Sequence, residues 1–173
     1  LNMKLMLSYT PFQKFAIEQR KKVILGSNWP TFKLGWEHGI PDVFQSKINY
    51  LKTLIGIDHN FKLGLLGNSK LNTWYGRYIN ANSVEYPNFT FFRGTDKYFF
   101  SHPLYSFQLL GKTYTSLKSY LSINYVHHFH GGIMKKLPIF KKTKLESVIG
   151  GGILLIDDND FNHGEIYTGI EIP

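Results

Sequence analysis

Histidine is the residue type whose spacing points most directly to chemistry in this chain. His128 and His130 share one parity of the extended run His127-His128-Phe129-His130. In a strand they stand about 6–7 Å apart on one face, close enough to reach one metal ion. Two ligands do not make a metal site, however, and no Asp or Glu lies at a telling spacing nearby. His127 takes the opposite face. A polar pair on a solvated wall, with His127 at an interface, is the better reading.

Asp157, Asp158 and Asp160, with Asn159 and Asn162, have the composition of a calcium loop. Such a loop needs glycine at its sixth position and a bidentate glutamate at its twelfth. Counted from Asp157 those positions hold Asn162 and Thr168; from Asp158 they hold His163 and Gly169. A solvated hairpin turn accounts for the cluster. Gly150-Gly151-Gly152 lacks the GK[ST] and the helix of a phosphate loop, and reads as a bend or a close backbone approach. Glu165 and Glu171 share a parity but lie about 20 Å apart along a strand, too far for paired acid–base work. No glycine-flanked serine forms a nucleophile elbow. Neither a catalytic residue nor a cofactor is expected.

The chemistry-poor residues sit in a chain of 173 residues, the size of one domain or a piece of a larger one. Phe, Trp and Tyr make up 16% of it, which excludes a disordered chain. Cysteine is absent, which excludes disulfides, thiolate zinc sites and cysteine nucleophiles. The longest apolar run, Gly150 to Ile156, falls far short of the roughly 20 residues of a membrane-spanning helix. The chain opens on Leu1 and ends inside an alternating segment at Ile172-Pro173, so a mature or truncated portion of a longer protein is expected.

Hydrophobicity repeats with a period of two almost throughout, the mark of strands. Met3, Leu5, Leu7 and Tyr9 alternate with Lys4, Met6, Ser8 and Thr10; Phe32, Leu34 and Trp36 alternate with Lys33, Gly35 and Glu37. Phe61 to Ile79 reads as one long alternating segment. Lys118 to Gly131 divides more sharply still, Leu121, Ile123, Tyr125 and Phe129 against Lys118, Ser122, Asn124, His128 and His130. Lys144 to Ile156 and Gly164 to Ile172 follow. Val43 to Asp58 changes parity and calls for a bulge or a break. Gly26-Ser27-Asn28, Gly39-Ile40-Pro41, Asp58-His59-Asn60 and Asp157 to Asp160 carry turn signals. Asn80 to Pro103 reads as a long loop with short extended pieces. Phe12 to Lys22 is the one place for a short helix, followed by a strand at Val23-Ile24-Leu25. The class is all-β, in a single region spanning 1–173.

Segments of this length exceed the usual strand of about 5–6 residues and match the 9–11 residues of a tilted membrane-crossing strand. An apolar outer band, a polar lumen and aromatic girdles complete the pattern of an outer-membrane barrel. About seven strands can be counted, against the eight or more of a bacterial barrel, so the barrel is incomplete in this chain. An open half barrel in lipid would leave edge amides and carbonyls without partners.

Tyr86-Pro87-Asn88, Phe91-Phe92-Arg93-Gly94-Thr95, Tyr98-Phe99-Phe100, Pro103-Leu104 and Ser106 to Leu110 form one motif-bearing stretch. A second runs from Tyr125 to Ile133, then through Lys135-Lys136-Leu137-Pro138-Ile139 to Lys141-Lys142-Thr143-Lys144-Leu145. Together they resemble the C-terminal barrel of a large Bacteroidetes family of outer-membrane proteins of unknown function. Members carry a carboxypeptidase-regulatory-like domain ahead of the barrel. The likeness runs from about Gly26 onward. The chain departs from it in its extra histidines at 127–130, in Lys135 where asparagine is commoner, and in lacking the regulatory-like domain and the last strands. The resemblance implies an incomplete barrel in the bacterial outer membrane and no settled activity.

The sequence therefore predicts a non-catalytic barrel component with a structural, transport or assembly role. Leu121, Ile123, Tyr125 and Phe129 are expected to face lipid; Lys118, Asn124, His128 and His130 are expected to face the lumen. Lys135, Lys136, Lys141 and Lys142 with Phe140 are expected to meet lipid phosphates at the membrane interface. The expected partners are outer-membrane lipid or lipopolysaccharide, the remaining strands of its own barrel or of a partner chain, and a larger outer-membrane complex. Nucleic acid is not expected. The competing reading is a soluble basic β-domain that binds nucleic acid or an acidic glycan through Lys135 to Lys144.

Overall fold

The computed structural model describes residues 1–43, 46–95, 101–129 and 145–172. The chain runs through β1 (Asn2–Tyr9), β2 (Lys14–Glu18), β3 (Lys21–Gly26), β4 (Thr31–Gly39), β5 (Asn49–Lys62) and β6 (Asn68–Ser83). It continues through β7 (Thr90–Phe92), β8 (Tyr114–Ser116), β9 (Ser119–His128), β10 (Glu146–Ile156) and β11 (Phe161–Glu171). Short 3-10 turns occupy Gly64–Leu66, Tyr86–Asn88 and Asp157–Asn159, and no α-helix occurs among the described residues. The all-β class holds.

Seven strands form one antiparallel sheet in the order β1-β4-β5-β6-β9-β10-β11. Its edges are β1 and β11, so the sheet is open among the described residues. The parity change expected near Val43 to Asp58 is found as register shifts between β5 and β6 at Asn49/Tyr50 and at Leu51/Lys52.

Two expectations fail. Phe12 to Lys22 is not helical but belongs to the hairpin β2–β3, in which Glu18 pairs with Lys21 across the two-residue loop Gln19-Arg20. Both loop residues have positive φ, 48° and 65°, the geometry that matches the twist of a tight hairpin. Phe61 to Ile79 is not one strand. β5 runs through the expected Asp58-His59-Asn60 turn, and the chain reverses at 63–67 instead. Gly67 makes that reversal possible: its φ is 118°, and a Cβ there would lie 1.9 Å from the His128 carbonyl oxygen.

The core sits on one face of the sheet. Residues 84–95 and 101–118, the inner segment, cross from β6 to β9 over that face and bring Phe92, Phe107 and Leu110 against Leu54, Tyr120, Leu154 and Ile156. The Phe92 and Tyr120 rings meet edge to face at 4.8 Å, and Tyr114 stacks on Phe161 at 3.8 Å. Gly152 admits this packing, since a Cβ on it would lie 2.9 Å from the Phe107 ring.

Candidate functional site

Alternation gives the sheet two faces of different character. On the packed face, cross-strand register lines up Lys4, Glu37 and Lys52 on three adjacent strands. Glu37 takes Lys4 at 2.5 Å and Lys52 at 3.4 Å. Lys52 is buried, and its ammonium also lies 5.3 Å from the Tyr78 ring centroid. Farther along, Lys33 pairs with Asp58, which also accepts the Asn72 side-chain amide. The buried Lys52 is tolerated here because it has the Glu37 carboxylate within reach.

The opposite face is apolar. One register row reads Leu7, Leu34, Ile55, Tyr75, Leu121, Leu155 and Asn162 across all seven strands. The next reads Tyr9, Phe32, Ile57, Thr73, Ile123, Ile153 and Gly164. Neither row holds a charge. Leu7 is 52% exposed and Ile153 47%, whereas Leu154, one residue on and facing the core, is 0% exposed.

Leu121, Ile123 and Tyr125 lie in or beside these rows, on the outer face and half-buried among their neighbours. Phe129 follows the end of β9; its N–H donates to the Ser147 carbonyl at 2.9 Å and its ring meets His127 at 4.3 Å. Asn124 is buried on the packed face beside Gly152. Lys118 precedes β9 and is exposed, and its N–H donates to Asp158 at 3.3 Å. His130 and the basic stretch with Lys135, Lys136, Phe140, Lys141 and Lys142 lie outside the described residues.

His128 has a partner that sequence spacing hides. Its Nδ1 lies 2.5 Å from Oε1 of Glu171, two strands away across β10. This pair borders a cavity of about 560 Å³ that Gln108, Val126, Val148 and Tyr167 also line. No group of three or more His, Cys, Asp or Glu able to hold a metal occurs among the described residues.

Glu165 is a second residue whose partners sequence spacing hides. Buried on β11, its carboxylate accepts the Gln108 N–H at 2.7 Å and the Leu109 N–H at 2.8 Å, and lies 3.0 Å from His163 Nε2. Asp158 does similar work at the other end of the inner segment, accepting the Leu117 N–H at 2.5 Å. Asp158 thus fastens backbone. The Ser119 hydroxyl adds a bond to Asp157 at 3.0 Å.

His127, on the outer face yet buried, closes a polar chain of its own. Its Nδ1 lies 2.8 Å from the Ser69 hydroxyl, which lies 3.0 Å from the Tyr125 hydroxyl. Its Nε2 lies 3.0 Å from the Leu66 carbonyl, which can only accept, so Nε2 donates. These three side chains on an apolar face are in this way satisfied among themselves and by backbone. Across both faces the carboxylates and histidines hold other parts of the chain, an arrangement suited to fixing structure.

No curated protein and no solved structure matches the chain. A family model does, over residues 1–170: the C-terminal domain of a family of unknown function, DUF5686. That match covers nearly the whole sequence and agrees with the C-terminal placement implied by its motifs. The chain belongs to the DUF5686 family, as its C-terminal domain.

Proposed function

We propose that this domain is part of an outer-membrane β-barrel with a structural, transport or assembly role and no catalytic one. The observation that carries the reading is the outer face: two adjacent register rows, uncharged and largely apolar on seven strands, with the core on the other side. An antiparallel sheet in water has one face on its core and the other polar. Exposed apolar area on this scale calls for a cover.

Strand length and slant favour lipid as that cover. β5, β6, β9, β10 and β11 run 14, 16, 10, 11 and 11 residues, enough to cross a bilayer when tilted. The apolar stretch shifts along the register from strand to strand. It covers Leu5–Tyr9 on β1, but on β11 it covers Ile166 to Ile172, beyond the Asn162 that shares the Leu7 row. A level hydrocarbon slab crossed by tilted strands produces such a slant.

In lipid the edges β1 and β11 need partners for their backbone groups, supplied by further strands of the same protein or by another chain. The inner segment would then occupy the lumen, which favours a closed or gated component over an open pore. Carbonate extraction of native membranes tests the reading. The full-length protein should stay in the pellet and leave it only in detergent; release by carbonate alone rules the barrel out.

A further inference from the structure

The hairpin β2–β3 pairs with no other strand among the described residues, yet it is apolar and basic at once. Phe15, Ile17, Ile24 and Leu25 are exposed on it, Ile17 at 75%, and Phe12 and Trp29 are exposed at its base with their rings 5.4 Å apart. Phe15 and Ile17 stand opposite Ile24 and Lys22, so three of these side chains and one cation share a face. Lys14, Arg20, Lys21 and Lys22 are all exposed, and Glu18 is the single carboxylate of the hairpin. Lys22 lies 4.4 Å over the Phe15 ring, and none of the four cations is in an ion pair among the described residues.

A two-stranded hairpin is marginal in water unless something covers it. This one leaves the sheet at the Tyr9–Phe32 pair, the same end at which β5 turns into β6. There Leu65 is 97% exposed, and Leu66 is exposed beside it. The described part of this rim therefore combines the aliphatic tips of both turns with the cations of the hairpin on their long stems. That is the chemistry of a headgroup layer, where aliphatic side chains enter the acyl boundary and lysines reach up to phosphate.

We infer that the β2–β3 hairpin is an interfacial anchor that binds the phosphate headgroups of anionic lipid. The inference rests on the membrane reading of the sheet. A nucleic acid would use the cations but leave Ile17, Ile24 and Leu25 in water.

The test uses the full-length protein reconstituted into two kinds of vesicle, phosphatidylcholine alone and phosphatidylcholine with phosphatidylglycerol. A nitroxide is attached at Ile17→Cys and, separately, at Ile153→Cys. In anionic vesicles the label at position 17 should be open to oxygen and several-fold less open to a water-soluble nickel relaxant than in phosphatidylcholine. Replacing Lys14, Arg20, Lys21 and Lys22 by Gln together should abolish that difference. Free inorganic phosphate should not reproduce it in phosphatidylcholine vesicles. A label at 17 equally open to nickel in both vesicles, with the label at 153 in lipid, overturns the inference and spares the sheet. Protection at 17 from nickel and oxygen alike means that protein covers the hairpin, and this too overturns it. Nickel access at 153 removes the membrane reading and the anchor with it.

Discussion

Glu165 on β11 holds Leu109 of the inner segment through a carboxylate–amide hydrogen bond of 2.8 Å, and the same carboxylate takes the preceding amide of Gln108 at 2.7 Å. Both oxygens are spent on consecutive N–H groups, and the group is buried. Hydrogen bonds to a charged acceptor contribute about 1.5–3 kcal/mol. Glu165→Gln should loosen the inner segment by an amount in that range. Limited proteolysis of the purified full-length protein reads it as faster cleavage within residues 101–117. An unchanged cleavage pattern in Glu165→Ala would show that the aromatic contacts alone hold the segment.

Gly150 and Gly164 should separate in mutation although neither needs a special backbone angle. A Cβ on Gly150 would lie 2.4 Å from the Tyr167 ring, whereas one on Gly164 meets nothing within 4 Å. Overfilling a packed site costs about 1–3 kcal/mol. Gly150→Ala should lower the urea midpoint, and Gly164→Ala should leave it in place.

Ile153 distinguishes lipid from water. A charge at mid-membrane costs about 2–4 kcal/mol, whereas a surface substitution in water falls within about 0.5 kcal/mol. Ile153→Arg should therefore sharply reduce the amount of folded protein assembled in the membrane, with Ile153→Leu at the level of the parent. Equal amounts of both variants would place Ile153 in water.

Ser69 links Tyr125 and His127, and it is fully buried. Ser69→Ala orphans polar atoms on both neighbours, at about 1–3 kcal/mol. Adding Tyr125→Phe should cost less than its own single effect, because the hydroxyl it removes has already lost its partner. Strict additivity in denaturant unfolding would disconnect the two residues.

Alternation made the faces of β1, β4 and β9 legible, because Leu121 and Ile123 oppose Asn124 and His128 whatever the strand pairs with. The same alternation misled at 61–79: Leu63 and Leu65 keep the parity of Phe61, and the reversal is carried by the conformations of Gly64 and Gly67. The β2–β3 hairpin was hidden because Gln19 and Arg20 adopt left-handed angles usually left to Gly or Asn. The Glu171 partner of His128 and the Gln108–Leu109 partner of Glu165 depend on register and on a long crossing segment, neither of which spacing along the chain encodes.

Photocrosslinking from β10 in native membranes tests the lipid-facing sheet most directly. A benzophenone side chain is introduced at Ile153, Leu154, Leu155 or Ile156 of the full-length protein, one position at a time. If the outer face meets lipid, positions 153 and 155 crosslink to lipid, while 154 and 156 crosslink within the protein. Lipid adducts missing at both 153 and 155, in protein that is folded, would contradict it.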